Sequence, residues 1–165
     1  MPSKYEKYVL RKPTPPDPDV QWGRADLGVM APYFFLSPRI KALRESNSMV
    51  EYVWVEKDSA FGVTNDRGPH RHNCDELFLF IGSNAKDPDD LGADVEFWMG
   101  EGKDLEKVKV NTTSLIYVPK NLLHLPLFAK NVKRPFLHVV IGVPNPKETI
   151  DTSLEHTVRL PPRGV

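Results

Sequence analysis

Residues 70–82 read His-Arg-His-Asn-Cys-Asp-Glu-Leu-Phe-Leu-Phe-Ile-Gly, two alternate histidines and a carboxylate set directly before an apolar run. In an extended strand successive side chains point to opposite faces, so residues two apart share a face at a separation of roughly 6.6 Å. His70 and His72 can therefore reach one ion together. Glu76 keeps their parity but in a straight strand would stand about 13 Å beyond His72. A bend or bulge over Asn73-Cys74-Asp75 is needed to bring it back. By itself the stretch also fits a polar strand face with no ligand, and both readings stay open at this point. Phe78 and Phe80 share the parity of Glu76 and are expected on the same face.

Outward from this stretch the chain is punctuated by sixteen prolines and ten glycines, with few helical periodicities. Short segments of this kind predict an all-β sandwich or barrel. Met49–Val55 alternates β-branched and aromatic residues, with Tyr52 and Trp54 on one face. Residues 61–64 predict a short strand, and residues 65–69 a turn that delivers the chain to His70. Residues 83–92 form a polar loop. Their acidic cluster lacks the alternate oxygen ligands of a calcium loop, since Leu91 takes one such position. Residues 94–99, with Glu96 and Trp98 on one face, turn through 100–104 into 107–110 as a hairpin. Strands are further expected over 115–118, 122–128 and 135–143, for roughly nine between residues 49 and 143.

Toward the N-terminus, residues 11–19 are too proline-rich for helix or central strand and predict an extended surface arm. The apolar cluster Met30–Leu36 is expected to pack on the outside of the main domain or on a second subunit, which favours a homodimer. Ser37 and Pro38 read as the cap and first position of a short helix over 39–46. Beyond Pro144 hydrophobic periodicity fades into a tail. The division expected is an arm and short helix over 1–45, a barrel over 46–146 and a tail over 147–165.

Lysines plus arginines equal aspartates plus glutamates at 22 each. No net field recruits nucleic acid or an acidic membrane, and a small-molecule partner is expected. The single cysteine, Cys74, cannot close an internal disulfide, and no apolar run reaches the length of about 20 residues that spans a bilayer. A cytoplasmic location is expected. The sequence has no Gly-rich phosphate loop, Cys-x-x-Cys pair or Gly-x-Ser-x-Gly elbow, which gives nucleotide and serine-hydrolase readings little support.

Two motifs give the chain a family likeness. His70, His72, Glu76 and the later Gly82 match a His-x-His, Glu, Gly pattern, and Pro119, Asn121 and His124 match Pro-x-Gly-x-x-His with asparagine at the turn glycine. In these residues, over about 46–144, the chain resembles the cupin superfamily. Asparagine at 121 suits the turn because it visits positive φ readily. Phe128 stands where many members have asparagine, and the closing glycine comes one residue early. The resemblance implies a double-stranded β-helix, or jelly-roll barrel, and a metal ion held by His70, His72, Glu76 and His124.

Three imidazoles and one carboxylate would leave an octahedral ion two open positions and a tetrahedral zinc nearly closed. The donor set does not select among Fe, Mn, Ni, Co and Zn. The lining expected around the ion is Tyr52, Trp54, Phe78, Phe80, Trp98 and Phe136. His138, Glu96 and Tyr117 are the candidate proton-transfer or polar residues. The function implied is a metal-dependent oxygenase, lyase or isomerase acting on a small oxygen-rich or aromatic molecule. The alternative is a non-catalytic metal-containing binding or sensing module.

Overall fold

A computed structural model of the chain describes residues 4–16, 18–19, 28–37, 48–63 and 68–144. Ten strands occur among them: β1 (Gly28–Val29), β2 (Tyr33–Leu36), β3 (Met49–Val55), β4 (Ser59–Phe61), β5 (Asp75–Gly82), β6 (Asp90–Met99), β7 (Glu106–Thr112), β8 (Ser114–Val118), β9 (His124–Lys130) and β10 (Phe136–Val143). They form two five-stranded sheets, ordered β2-β3-β10-β5-β8 and β1-β4-β9-β6-β7. From β3 onward the chain passes to the other sheet at almost every connection, and only the β6–β7 hairpin stays in place. That winding makes a double-stranded β-helix, the jelly roll expected from the sequence. All pairings are antiparallel except β1 with β4.

Alternation explains the sheets. Along β5, Glu76, Phe78 and Phe80 are buried while Leu77, Leu79 and Ile81 face outward. Phe78 meets Phe97 of the opposite sheet at 4.9 Å between ring centroids, and Phe80, Phe136, Leu127 and Val95 fill the interior beside them. The first sheet is apolar on its outer face as well. Trp54 pairs with Leu137, which pairs with Ile81. Tyr52, Val139, Leu79 and Leu115 make the next row. Val50, Ile141, Leu77 and Tyr117 make the third.

Several expectations are corrected. Among the described residues between 49 and 143 there are eight strands against the roughly nine expected, because His70 joins only an isolated bridge with His124 and residues 71–74 are not strand. The strand expected over 61–64 is Ser59–Phe61. Gly62, at φ +72, ends it where the chain passes so close to Leu125 that an added Cβ would lie 2.7 Å from that side chain. β6 starts at Asp90 rather than 94, with a register shift before Val95. β9 starts at His124 rather than 122, after Asn121 turns the chain at φ 66. The Met30–Leu36 cluster does not sit apart from the barrel. Met30 is in the core, and β2 is an edge strand on β3 whose Tyr33 and Phe35 stack on Tyr52. The proline arm runs along that edge, exchanging two backbone hydrogen bonds between Thr14 and Phe34. The helix expected over 39–46 and the tail lie outside the described residues; a single 3-10 turn at Glu6–Tyr8 precedes the arm. No helix among the described residues is long and apolar enough to cross a membrane.

Candidate metal centre

The two motif segments are tied together by their own backbones. His70 N–H donates to the carbonyl of His124 at 3.1 Å, and His124 N–H returns the bond at 3.0 Å. Asn121 N–H adds a third tie to the carbonyl of His72 at 2.9 Å. Asn121 occupies the left-handed region at φ 66, and Leu122 N–H closes that turn on Pro119 O at 3.0 Å. His124 thus arrives opposite His70, with ring centroids 4.7 Å apart, and His72 completes a triangle, 4.7 Å from His70 and 5.8 Å from His124.

The ring orientations follow from two carbonyls. His70 Nδ1 contacts Gly68 O at 2.8 Å, and His124 Nδ1 contacts Leu122 O at 3.0 Å. A carbonyl oxygen only accepts, so each Nδ1 carries its proton. In the neutral ring each Nε2 then keeps a lone pair, the state in which imidazole binds a metal. One donor atom from each of His70, His72 and His124 lies within 4.8 Å of the others.

Glu76 closes the set. Its carboxylate oxygens stand 3.6 Å from His72 Nε2 and 3.1 Å from His124 Nε2. Glu76 is 2% exposed, His124 1% and His70 5%. Despite the 3.1 Å approach, neither Glu76 Oε2 nor His124 Nε2 makes a hydrogen bond. Among the described residues no lysine or arginine forms an ion pair with this carboxylate. A buried carboxylate facing imidazole lone pairs is costly unless a cation lies between them. Neighbouring donors on an ion bound at about 2.1 Å lie about 3.0 Å apart in octahedral geometry and about 3.4 Å apart in tetrahedral geometry. The 3.1 Å separation of Glu76 and His124 falls in this range, while the 3.6 Å separation of Glu76 and His72 is longer than either value.

Rings surround the donors. Phe78 meets His124 edge-on at 5.5 Å, and Phe97 lies parallel to it at 6.3 Å. Farther in, His138 stacks on Phe80 at 4.7 Å and 4° and beside Phe78 at 5.9 Å. Its Nδ1 donates to Leu79 O at 3.0 Å. Burial lowers its pKa from 6.5 to about 4, only partly offset by that backbone bond, so the ring is neutral at pH 7.

The other sequence candidates divide by parity. Phe78, Phe80 and Phe136 face inward, but Phe80 and Phe136 are packed against each other in the core at 6.4 Å, leaving Phe78 as the one in ring contact with a ligand. Tyr52 and Trp54 are on the outer face, because Val53 and Val55 supply the buried side of β3. That same inward register carries Glu51, beside Val140. Trp98 and Glu96 point outward from β6, where Val95 and Phe97 point in. Trp98 is buried with the Lys107 ammonium 5.4 Å from its ring. Glu96 bonds Lys130 at 2.8 Å and stands 3.5 Å from Lys107. Partial burial opposes its charge, but the two lysines outweigh it and lower its pKa, leaving it a poor base. Tyr117 is exposed, and its hydroxyl is raised above the usual range chiefly by a hydrogen bond to Asp75. Cys74 is buried. Burial first, then the charges of Glu76 and Asp75, push its thiol up to about 12, which removes it as a nucleophile.

Two groups escaped the sequence reading. The carbonyls of Gly68 and Leu122 orient the rings from two positions before each histidine, and no residue type marks a carbonyl. Phe97 was readable in principle, since it alternates with Val95 inside β6.

No protein-family model and no curated protein matches the chain. Solved structures do. A vicilin from Solanum melongena is 14% identical over 78% of this chain, which spans 30% of that protein's length, at a TM-score of 0.49. A cupin 2 conserved barrel domain protein from Salinispora arenicola is 10% identical over 68% of this chain and 74% of its own, at 0.42. A cupin-like protein from Thermotoga maritima is 12% identical over 76% and 80%, at 0.41. These likenesses concern the fold.

Proposed function

We propose that the chain is a metal-dependent enzyme of the oxygenase, lyase or isomerase type, acting on a small oxygen-rich or aromatic molecule. His70, His72, Glu76 and His124 would hold the ion. The observation that carries this is the pair of Nδ1-to-carbonyl bonds, which leave the Nε2 lone pairs of His70 and His124 available in a cluster with His72, with His124 Nε2 3.1 Å from the Glu76 carboxylate. A divalent Fe, Mn, Ni, Co or Zn ion bound there supplies Lewis acidity, and oxygen chemistry if redox-active, at any position the four side chains leave open.

The chain's own residues do the rest. Glu76 provides the negative charge that favours a divalent cation over a buried proton. Phe78 and Phe97 exclude water around His124, which strengthens electrostatic interactions there. Neutral His138 stands beyond Phe78 as a polar group of the inner wall, and its lowered pKa makes it, like Glu96, a weak base. A cytoplasmic setting accompanies this reading.

A second reading, a non-catalytic metal-containing binding or sensing module, draws support from the depth of the ligands. All three residues measured above are nearly inaccessible, and enclosure suits retention better than turnover. Elemental analysis of protein purified without chelators, followed by oxygen-uptake and substrate-panel assays, tests the proposal. Stoichiometric metal in the wild type, lost in both His70→Ala and His124→Ala with the β-type circular dichroism retained, is the expected result. Retained metal in both variants would remove the site. A fully loaded protein that binds one panel compound tightly and turns over none would select the second reading.

A further inference from the structure

A polar cavity lies at the other end of β6 and β9 from the histidine cluster. Met99 pairs with His124 and Asp94 with Lys130, so five residues of β6, roughly 17 Å, separate the two places. Asp90 pairs with Thr112 and Val95 with Val110. Five residue steps on β6 thus run against two on β7, and the surplus forms a bulge. Leu91, Ala93 and Val95 keep their places in the core across it. Between this bulge, Asn111 of β7 and the turn from β9 to β10 is a half-open cavity of about 250 Å³.

The wall is held by its own bonds. Gly92, at φ +76, lies under Arg134, and a Cβ added there would come 3.1 Å from the Arg134 side chain. The carbonyl of Gly92 accepts the Lys133 N–H at 2.8 Å and the Arg134 N–H at 3.4 Å. Asp90 spends both carboxylate oxygens, one on Gly92 N–H at 2.8 Å and the other on Arg134 Nη2. Asn131, at φ 51, donates through Nδ2 to one oxygen of Asp94 at 2.7 Å. Other groups of the wall stay uncommitted. Among the described residues no carboxylate pairs with the Lys133 ammonium, and no hydrogen bond holds the Asn111 amide. Asp94 keeps its second oxygen, and the Arg134 side chain is 40% exposed with only Nη2 engaged by Asp90.

We propose that this cavity binds a small acid with a hydrogen-bond donor beside its carboxylate, an α-amino or α-hydroxy acid. Lys133 and Arg134 supply cationic donors for the carboxylate, and Asp94 accepts from the neighbouring ammonium or hydroxyl. A plain anion would meet Asp94 and a plain cation would meet the two basic groups, whereas a ligand with both ends matches both signs. Size and lining agree. At about 30 Å³ per water the cavity holds roughly eight waters, room for a molecule of the size of serine or glycerate. Among the described residues it is lined by no aromatic or large aliphatic side chain, so the ligand is polar throughout. The proposal does not rest on the metal reading.

Amide NMR titration of the full chain in chelator, with L-serine, D-glycerate, glycerol and inorganic phosphate as separate probes, tests it. Serine or glycerate is expected to shift the Gly92, Lys133 and Arg134 amides saturably, at millimolar concentration, and to leave those of His70 and His124 unmoved. Whichever acid binds more tightly identifies the donor as ammonium or hydroxyl. Lys133→Ala, at an exposed position, is expected to weaken that binding at least about tenfold with unchanged circular dichroism. Asp94→Asn, which keeps an oxygen for Asn131, is expected to weaken serine more than glycerate. The absence of saturable shifts from both acids, or unaltered affinity in both variants, would overturn the proposal. Glycerol binding as tightly as the acids would also overturn it, and so would phosphate binding more tightly, since a bare polyol or a bare anion would then suffice.

Discussion

His138 offers a test of the interior that needs no metal and no substrate. Its imidazole lies between Phe78 and Phe80, with one nitrogen committed to Leu79 O, and burial lowers its pKa from 6.5 to about 4. The unfolded chain therefore takes up this proton first as pH falls. Above about pH 6.5 both states hold a neutral ring and pH has no leverage here. Between 6.5 and about 4 the unfolded state binds more protons, so stability declines with falling pH and levels off below the folded value. At about 1.4 kcal/mol per pH unit the gap amounts to roughly 3 kcal/mol. The perturbation is His138→Gln, which keeps a donor for Leu79 O and cannot titrate. Urea unfolding of chelated wild type and variant, followed by circular dichroism across this pH range, should show the wild type losing roughly 3 kcal/mol more than the variant. Other carboxylates titrate in both proteins and cancel in the difference. A constant difference across the range would refute the reasoning, as would an NMR titration placing the His138 midpoint near 6.5.

Gly82→Ala should destabilise by about 1–3 kcal/mol in thermal or urea unfolding, because the added Cβ would clash with the backbone oxygen of Asp90. At Asn121, held at φ 66, glycine should be near neutral and valine should cost about 1–2 kcal/mol; equal stabilities would show that the turn relaxes. Phe97→Ala removes a ring fully buried against Phe78 and His124, and about 3–5 kcal/mol of unfolding free energy should go with it. Glu96→Gln, on the partly exposed outer face, should leave metal content unchanged in elemental analysis, whereas a loss would return Glu96 to the site.

The parts of the fold legible in the sequence are those where one physical signal dominates. β5 alternates Glu76 and two phenylalanines against leucines, so its register could be read directly. Asn121 announced a positive φ because few other residues tolerate one. β3 misled for a definite reason. Tyr52 and Trp54 on one side and Val53 and Val55 on the other are all apolar, so alternation identifies two faces without saying which is inward. The larger rings were assigned to the interior and instead cover the outer sheet. Trp98 and Glu96 raised the same ambiguity on β6, where the Lys107 ammonium lies 5.4 Å from the indole. Met30–Leu36 read as an attachment because nothing local reveals that an edge strand will extend a sheet formed by residues far along the chain. The orienting carbonyls of Gly68 and Leu122 were invisible, since every residue has one.

The reciprocal hydrogen bonds between His70 and His124 join segments separated by residues 71–123, which hold all of β5 to β8. His70 and His72 are neighbours even in the unfolded chain, but the fourth donor reaches them only after the loop entropy of that long separation has been overcome. The complete donor set is thus a property of the closed barrel. An ion that requires all four would bind the native state almost alone and act as a clasp across the winding, raising the midpoint of unfolding with its free concentration. Occupancy of the centre would report that the chain has finished folding.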